Sequence, residues 1–234
     1  MAMLFASVLT CVASALVAFA APASHCSTAG DKLILPGNTS ALPAPPAGAP
    51  SFVALGVGVQ NYTCASTGLF SSTGAVAELF NLACLPAPDF NPVTDAVFAA
   101  WEIAPRAITA QELIGTLAVF HPSVVLGQHY FIVNPVSGSG LSAKWDFTSA
   151  SEKGHPDAFV VGMRTGDVVA PTDPAVNIDW LSLSAVPNIG GDLAADVYRV
   201  QTRGGQPPTS CTPGKSKDIS VRYVSQYWFF GGAF

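Results

Sequence analysis

Cleaving a glycosidic bond takes two carboxyl groups flanking it, one to protonate the leaving oxygen and one to act as base or nucleophile. The chain offers Glu78, Glu102, Asp146, Asp157 and Asp179 for such work, and their spacing singles out no pair. A second grouping is His129, Trp145, Asp146 and Arg199, which combines a titratable ring, an aromatic platform and charges of both signs. A histidine and an aspartate can share or orient a proton, and an indole can stack on a sugar face. These four are the binding candidates; no catalytic residue is assigned. The competing reading of the same residues is structural. It makes Trp145 and Trp180 core aromatics, His129 a hydrogen-bonded interior residue, and Arg199 the partner of a carboxylate such as Asp179. Tyr227, Trp228, Phe229 and Phe230 then belong to the core and strand edges.

The organised signatures of other chemistries are missing. There is no Gly-x-Ser-x-Gly elbow for a nucleophilic serine and no His-Glu-x-x-His for a zinc helix. No Cys-x-x-Cys or Cys-x-x-His spacing is present, so no metal site is assigned. A copper site on an N-terminal histidine would need cleavage directly before His25. No cofactor is called for.

The elements that must position these candidates belong to a turn-rich chain. Of 234 residues only 11% are charged and 50% are apolar, with 21 Gly and 19 Pro. So few charged residues cannot line many solvated helix faces, and the balance favours a mainly β protein. A net charge of −5 with ten Lys and Arg in no dense cluster argues against a nucleic-acid surface or an anionic membrane as partner.

Met1 to Ala20 carry no charge and end Ala18-Phe19-Ala20 before Ala21-Pro22, a small-x-small cleavage pattern. The segment reads as a secretory signal peptide, 1–20. It lacks a basic start and approaches the length of a membrane span, but its Ala and Ser content and its cleavage pattern favour removal. Cys11 would leave with it, and Cys26, Cys64, Cys84 and Cys211 would remain. Four cysteines in an oxidising compartment suggest two disulfides, with three pairings open. Asn38-Thr39-Ser40 and Asn61-Tyr62-Thr63 are glycosylation sequons at Asn38 and Asn61.

Residues 21–50 form a Pro/Ala-rich stretch expected as an extended arm or linker rather than a packed element. From Ser51 to the C-terminus, short apolar runs alternate with turns: Phe52 to Val59, Ala75 to Leu82, His129 to Val133, Ala158 to Met163 and Ile178 to Leu183. Val197 to Thr202 and Tyr223 to Phe230 add two strands around a Gly/Pro turn. Thr109-Ala110-Gln111-Glu112 has the form of a capping box ahead of Leu113, Ile114, Leu117 and Ala118, which predicts a short helix. Asp95 to Glu102 has room for another turn or two. The fold expected is a single mainly β domain, a sandwich or distorted barrel with one or two short helices in a long connection.

Several segments carry a resemblance: Gly58-Val59-Gln60-Asn61-Tyr62-Thr63-Cys64, Gly74-Ala75-Val76-Ala77, Gly127-Gln128-His129-Tyr130, Trp145-Asp146-Phe147, Val160-Val161-Gly162-Met163, Asp179-Trp180-Leu181-Ser182-Leu183 and the terminal block. Together, over about residues 51 to 230, they resemble the DUF3455 family, secreted fungal and bacterial proteins without an established activity. Because Cys64 and Cys211 both fall in family-like motifs, the resemblance suggests pairing Cys64 with Cys211 and Cys26 with Cys84. Fungal members often carry a malate dehydrogenase label, and this sequence disagrees with it. Gly56-Val57-Gly58 supplies two glycines of a dinucleotide fingerprint, but Asn61 stands at the third and no helical pattern follows.

The reading that results is a secreted extracellular or cell-wall-associated β protein whose partner is a cell-wall glycan or another extracellular surface. The alternative is a secreted carbohydrate-active hydrolase.

Overall fold

The computed structural model describes residues 26–112, 114–115 and 124–234. The expected signal peptide lies outside them, as do Leu113, Leu117 and Ala118 of the second helical pattern. Eight strands follow in order: β1 (Phe52–Cys64), β2 (Phe70–Asn81), β3 (Val125–Val133), β4 (Leu141–Asp146), β5 (Phe159–Val168), β6 (Trp180–Ala185), β7 (Asp196–Gly204) and β8 (Ile219–Phe230). Each pairs antiparallel with the next, and β8 returns to pair with β1 from Phe52↔Phe229 to Tyr62↔Ile219. The sheet is therefore a closed barrel, not a sandwich, and closure leaves no strand edge open to another chain. Register shifts at Asn61/Tyr62, Leu79/Phe80, Arg164/Gly166 and Val200/Arg203 bend it away from a regular cylinder.

Strand alternation sorts the side chains into two cores. Ala54, Ala77, Leu79, Trp145, Tyr227 and Phe229 fill the barrel interior. Val53, Leu55, Val57, Val224, Trp228 and Phe230 face outward into a second core. The interior holds bulky rings because the strands facing them carry almost none. A Cβ on Gly56 would lie 2.5 Å from the Tyr227 ring, and one on Gly162 would lie 2.9 Å from Trp145. One end is plugged by Phe52, Phe147 and Phe229, packed edge to face at centroid distances of 5.1 to 6.5 Å.

The outer core is covered by helix α1 (Phe90–Ile103), which buries Phe90, Val97 and Trp101 against β1, β7 and β8. The helix has 14 residues, longer than the turn or two expected at Asp95 to Glu102. Trp101 Nε1 donates to the Gly58 carbonyl at 2.8 Å. Arg222 stacks its guanidinium 4.2 Å from the Trp101 ring and donates to the carbonyls of Trp101 and Pro105, capping the helix C-terminus with a cation. The capping box forms as predicted. Glu112 N–H donates to Thr109 Oγ1 at 3.1 Å, Thr109 N–H donates to Glu112 Oε2 at 2.8 Å, and residues 110–112 and 114–115 are helical.

The cysteines pair as Cys26–Cys84 and Cys64–Cys211, the pairing that the resemblance suggested. The described part of the arm, from Cys26 onward, contains turns and one 3-10 segment, Gly37–Thr39, and it is packed rather than a free linker. Leu42 is buried in the outer core, and the Tyr198 hydroxyl donates to the Ala44 carbonyl at 3.2 Å. Among the described residues no helix is long and apolar enough to cross a membrane.

Candidate functional site

Opposite the phenylalanine plug, the barrel opens into a cavity of about 690 Å³. It is reached where β1, β3 and β7 end and β2, β4 and β6 begin. Its floor is His129, Trp145 and Tyr227; its apolar walls include Phe131, Ile178, Leu181 and Leu183. Arg199 and Gln60 project into it from β7 and β1. Three of the four sequence candidates therefore share one cavity.

The fourth does not. Asp146 follows Trp145 on β4, and neighbouring strand residues point to opposite faces, so an inward Trp145 sends Asp146 outward. There it pairs with Lys144 at 2.7 Å and accepts from the Tyr130 hydroxyl at 2.7 Å and the Thr148 hydroxyl at 2.7 Å. Burial alone would raise its carboxyl; the bonds from Lys144, Thr148 and Tyr130 outweigh that and hold it down at about 2. Asp146 is a structural anion of the outer wall, not part of the site.

His129 is buried, with its ring stacked 4.6 Å from Trp145 at an interplanar angle of 12°. Its Nδ1 lies 2.9 Å from the Lys144 carbonyl. A carbonyl can only accept, so the ring proton sits on Nδ1 and Nε2 keeps a bare lone pair. Burial drives the ring's pKa down to about 3; the Lys144 bond opposes this and the Arg199 charge adds to it. His129 is thus a neutral acceptor in the cavity. No carboxylate bonds it.

Two buried donors of the lining are poorly served, although the Gln60 side chain approaches the Tyr223 hydroxyl. Gln60 is 5% exposed and Trp145 1%, yet Gln60 Nε2 and Trp145 Nε1 make no hydrogen bond. A buried donor left unpaired costs on the order of 1–3 kcal/mol. Nearby, the Tyr223 and Tyr227 hydroxyls satisfy each other at 3.0 Å. Arg199 does not pair with the Asp179 carboxylate, as the structural reading expected. Its Nε and Nη2 both donate to the Asp179 backbone carbonyl, at 3.2 and 2.9 Å. The ion pairs among the described residues are Lys144–Asp146, Arg164–Asp167 and Arg203–Asp95, and none includes Arg199.

The carboxylates considered for hydrolysis do not converge. Glu102 belongs to α1, Asp157 is exposed in the β4–β5 connection, and Glu78 is buried. It alternates with Ala77 and Leu79, which face the interior, so it points to the outer side of β2. Only Asp179 reaches the cavity, together with Asp167 at its rim. The Asp179 carboxyl is raised first by burial and then by the Asp167 charge, with Arg199 and Arg164 pulling it down.

Sequence reasoning did not pick out Gln60. Its signal was a lone amide in the alternating Gly56-Val57-Gly58-Val59-Gln60 run, on the parity that faces the interior. Of the sequons, Asn38 is exposed, while the Asn61 side chain on β1 accepts from Ser220 Oγ at 2.7 Å.

Residues 45–231 match DUF3455, a family described as protein of unknown function. No curated protein and no solved structure matches the chain.

Proposed function

From the premise that this chain belongs to the DUF3455 family, which brings no activity with it, we propose that it is a secreted, non-catalytic protein that holds a small ligand in the open end of its barrel. The observation that carries this reading is the cavity of about 690 Å³, whose apolar walls are joined by His129, Gln60 and Arg199. That volume lies within the range of small-molecule sites, as does the pattern of apolar walls with a few converging polar groups.

The expected partner was a cell-wall glycan or another extracellular surface. The geometry favours a ligand, sugar-derived or not, that enters the barrel over a polymer lying on a flat face. None of the large exposed hydrophobic residues among those described is aromatic, so a stacking platform is lacking. Trp145 offers none either, because His129 covers one face and Tyr227 and Phe229 pack against it. Secretion is supported by the signal-like first twenty residues, the two disulfides and the exposed sequon at Asn38.

The hydrolase remains the second reading because Asp167 and Asp179 approach each other at the cavity rim. Against it, burial holds His129 neutral and Asp146 lies on the other side of the wall.

The test is calorimetric titration of the mature, oxidised protein with wall oligosaccharides and a small-molecule library, repeated on Leu141→Trp. Leu141 sits half-exposed at the mouth, where an indole obstructs entry without disturbing the core. Saturable binding lost in the variant supports the reading. Binding that the variant retains places the ligand elsewhere and refutes it, and turnover of an oligosaccharide favours the hydrolase.

A further inference from the structure

Resting on that reading of the cavity, we infer that its ligand is a small organic acid, with its carboxylate held by Arg199 and its apolar body against the β3 and β6 walls. Three observations converge on an anionic group. Arg199 lines the cavity together with Arg164, Asp167 and Asp179, yet no carboxylate lies within ion-pair distance of it among the described residues. Both its bonds go to one carbonyl, that of Asp179, which leaves Nη1 uncommitted. Trp145 Nε1 is a further donor, on a residue more than nine-tenths buried and without an acceptor.

Arg164 and Asp167 pair with each other, so Arg199 is the cation of the lining that no carboxylate meets within ion-pair distance. A carboxylate is the complement: it accepts only, has about four lone-pair directions, and fits a guanidinium edge bidentately. A phosphate dianion fits less well, because its second charge would meet only neutral donors in a low-dielectric pocket. The carboxylates that line the cavity do not fill this role. Asp167 is engaged by Arg164 at 2.6 Å, and Asp179 meets Arg199 through its backbone. Phe131, Ile178, Leu181 and Leu183 supply the surface for a hydrocarbon or aromatic body, and the bare Nε2 of His129 accepts from a hydroxyl if the ligand carries one.

The experiment is calorimetric titration of the mature, oxidised protein with benzoate, 4-hydroxybenzoate and hexanoate. Each is run beside its primary amide, with methyl galactoside as a neutral sugar arm. Amide and acid share shape and differ in charge. The acids are expected to bind at least about tenfold more tightly than their amides, the usual worth of a charge-assisted pair. Arg199→Gln should abolish that preference and Arg199→Lys should restore part of it, with melting temperatures confirming that both variants fold. Should Arg199→Gln fail to fold, the acid-to-amide ratio on the unchanged protein decides alone. Amides binding as tightly as acids, or an unaltered preference in folded Arg199→Gln, overturns the inference and leaves the binding reading standing. Heat from the methyl galactoside alone does the same. Absence of binding in every arm means that the buried donors are met by water only, and the inference and the binding reading fall together.

Discussion

Two buried ionisable groups with opposite preferences should shape how stability depends on pH. Glu78 is fully buried, and burial lifts its pKa from 4.5 to about 8, with a hydrogen bond to the Gln128 side chain acting the other way. Between pH 4.5 and 8 the unfolded chain gives up this proton while the folded protein keeps it. Stability therefore falls as pH rises, by about 1.4 kcal/mol per pH unit. His129 does the reverse. Its pKa drops from 6.5 to about 3, so between those values the unfolded chain takes up a proton that the folded protein refuses, and stability falls as pH drops at the same rate.

From pH 4.5 to 6.5 the two slopes cancel. The expected profile is a plateau there, a loss of about 2 kcal/mol between pH 6.5 and 8 from Glu78, and a comparable loss between pH 4.5 and 3 from His129. Asp146 adds to the acid limb, since its carboxyl, held at about 2, loses its contribution as pH falls below 3.8. Urea denaturation followed by far-UV circular dichroism at half-unit pH steps measures the profile. Glu78→Gln, neutral at every pH, should remove the alkaline limb and keep the acid one. If Glu78→Gln retained the fall between pH 6.5 and 8, the buried carboxyl would not be its source and the reasoning would be refuted.

Other expectations follow from the same structure. Asp146→Asn should cost about 1–2 kcal/mol in chemical denaturation by weakening the Lys144, Tyr130 and Thr148 contacts, and should leave ligand affinity unchanged because the residue faces away from the cavity. Gly56→Val should cost about 3 kcal/mol or more, seen as a lowered melting temperature, because its Cβ would have to displace the Tyr227 ring. Replacing both cysteines of the Cys64–Cys211 bridge by serine, which opens a closed loop of 147 residues, should cost about 5 kcal/mol; opening Cys26–Cys84, with a separation of 58, should cost about 4. An equal loss from both, or none, in thermal melts would contradict the loop-closure reasoning.

Much of this was legible because it is local. Strand alternation marked β1 and β8, and the Thr109–Glu112 capping box forms the bonds that its spacing implies. What was not legible depends on distant pairings or on facing. Barrel and sandwich differ here by the β1–β8 pairing, which joins residues at opposite ends of the domain and leaves no mark in either strand. The strand β4 escaped notice because Ser142, Ala143 and Lys144 are poor strand formers, held between the stronger β3 and β5. Helix α1 starts earlier than expected because Asn91-Pro92 reads as a turn. Proline costs no helical bond in the first turn, where the N–H groups have no partner. Grouping Asp146 with Trp145 ignored the two-residue period of a strand. That Arg199 bonds the Asp179 carbonyl rather than its carboxylate is a property of its surroundings, which composition and spacing do not report.

The account turns on whether the open end of the barrel is a ligand site. Of the four indoles Trp145 is the one that lines the cavity; its Nε1–H is unpaired, as is that of Trp180, while Trp101 and Trp228 are bonded on the outer side to Gly58 and Gln226. Following the indole N–H resonances of the mature protein by two-dimensional NMR during titration with 4-hydroxybenzoate reads this directly. The account predicts a saturable shift of the Trp145 resonance, with those of Trp101 and Trp228 unmoved. Shifts confined to Trp101 or Trp228, or none at millimolar ligand, would contradict it.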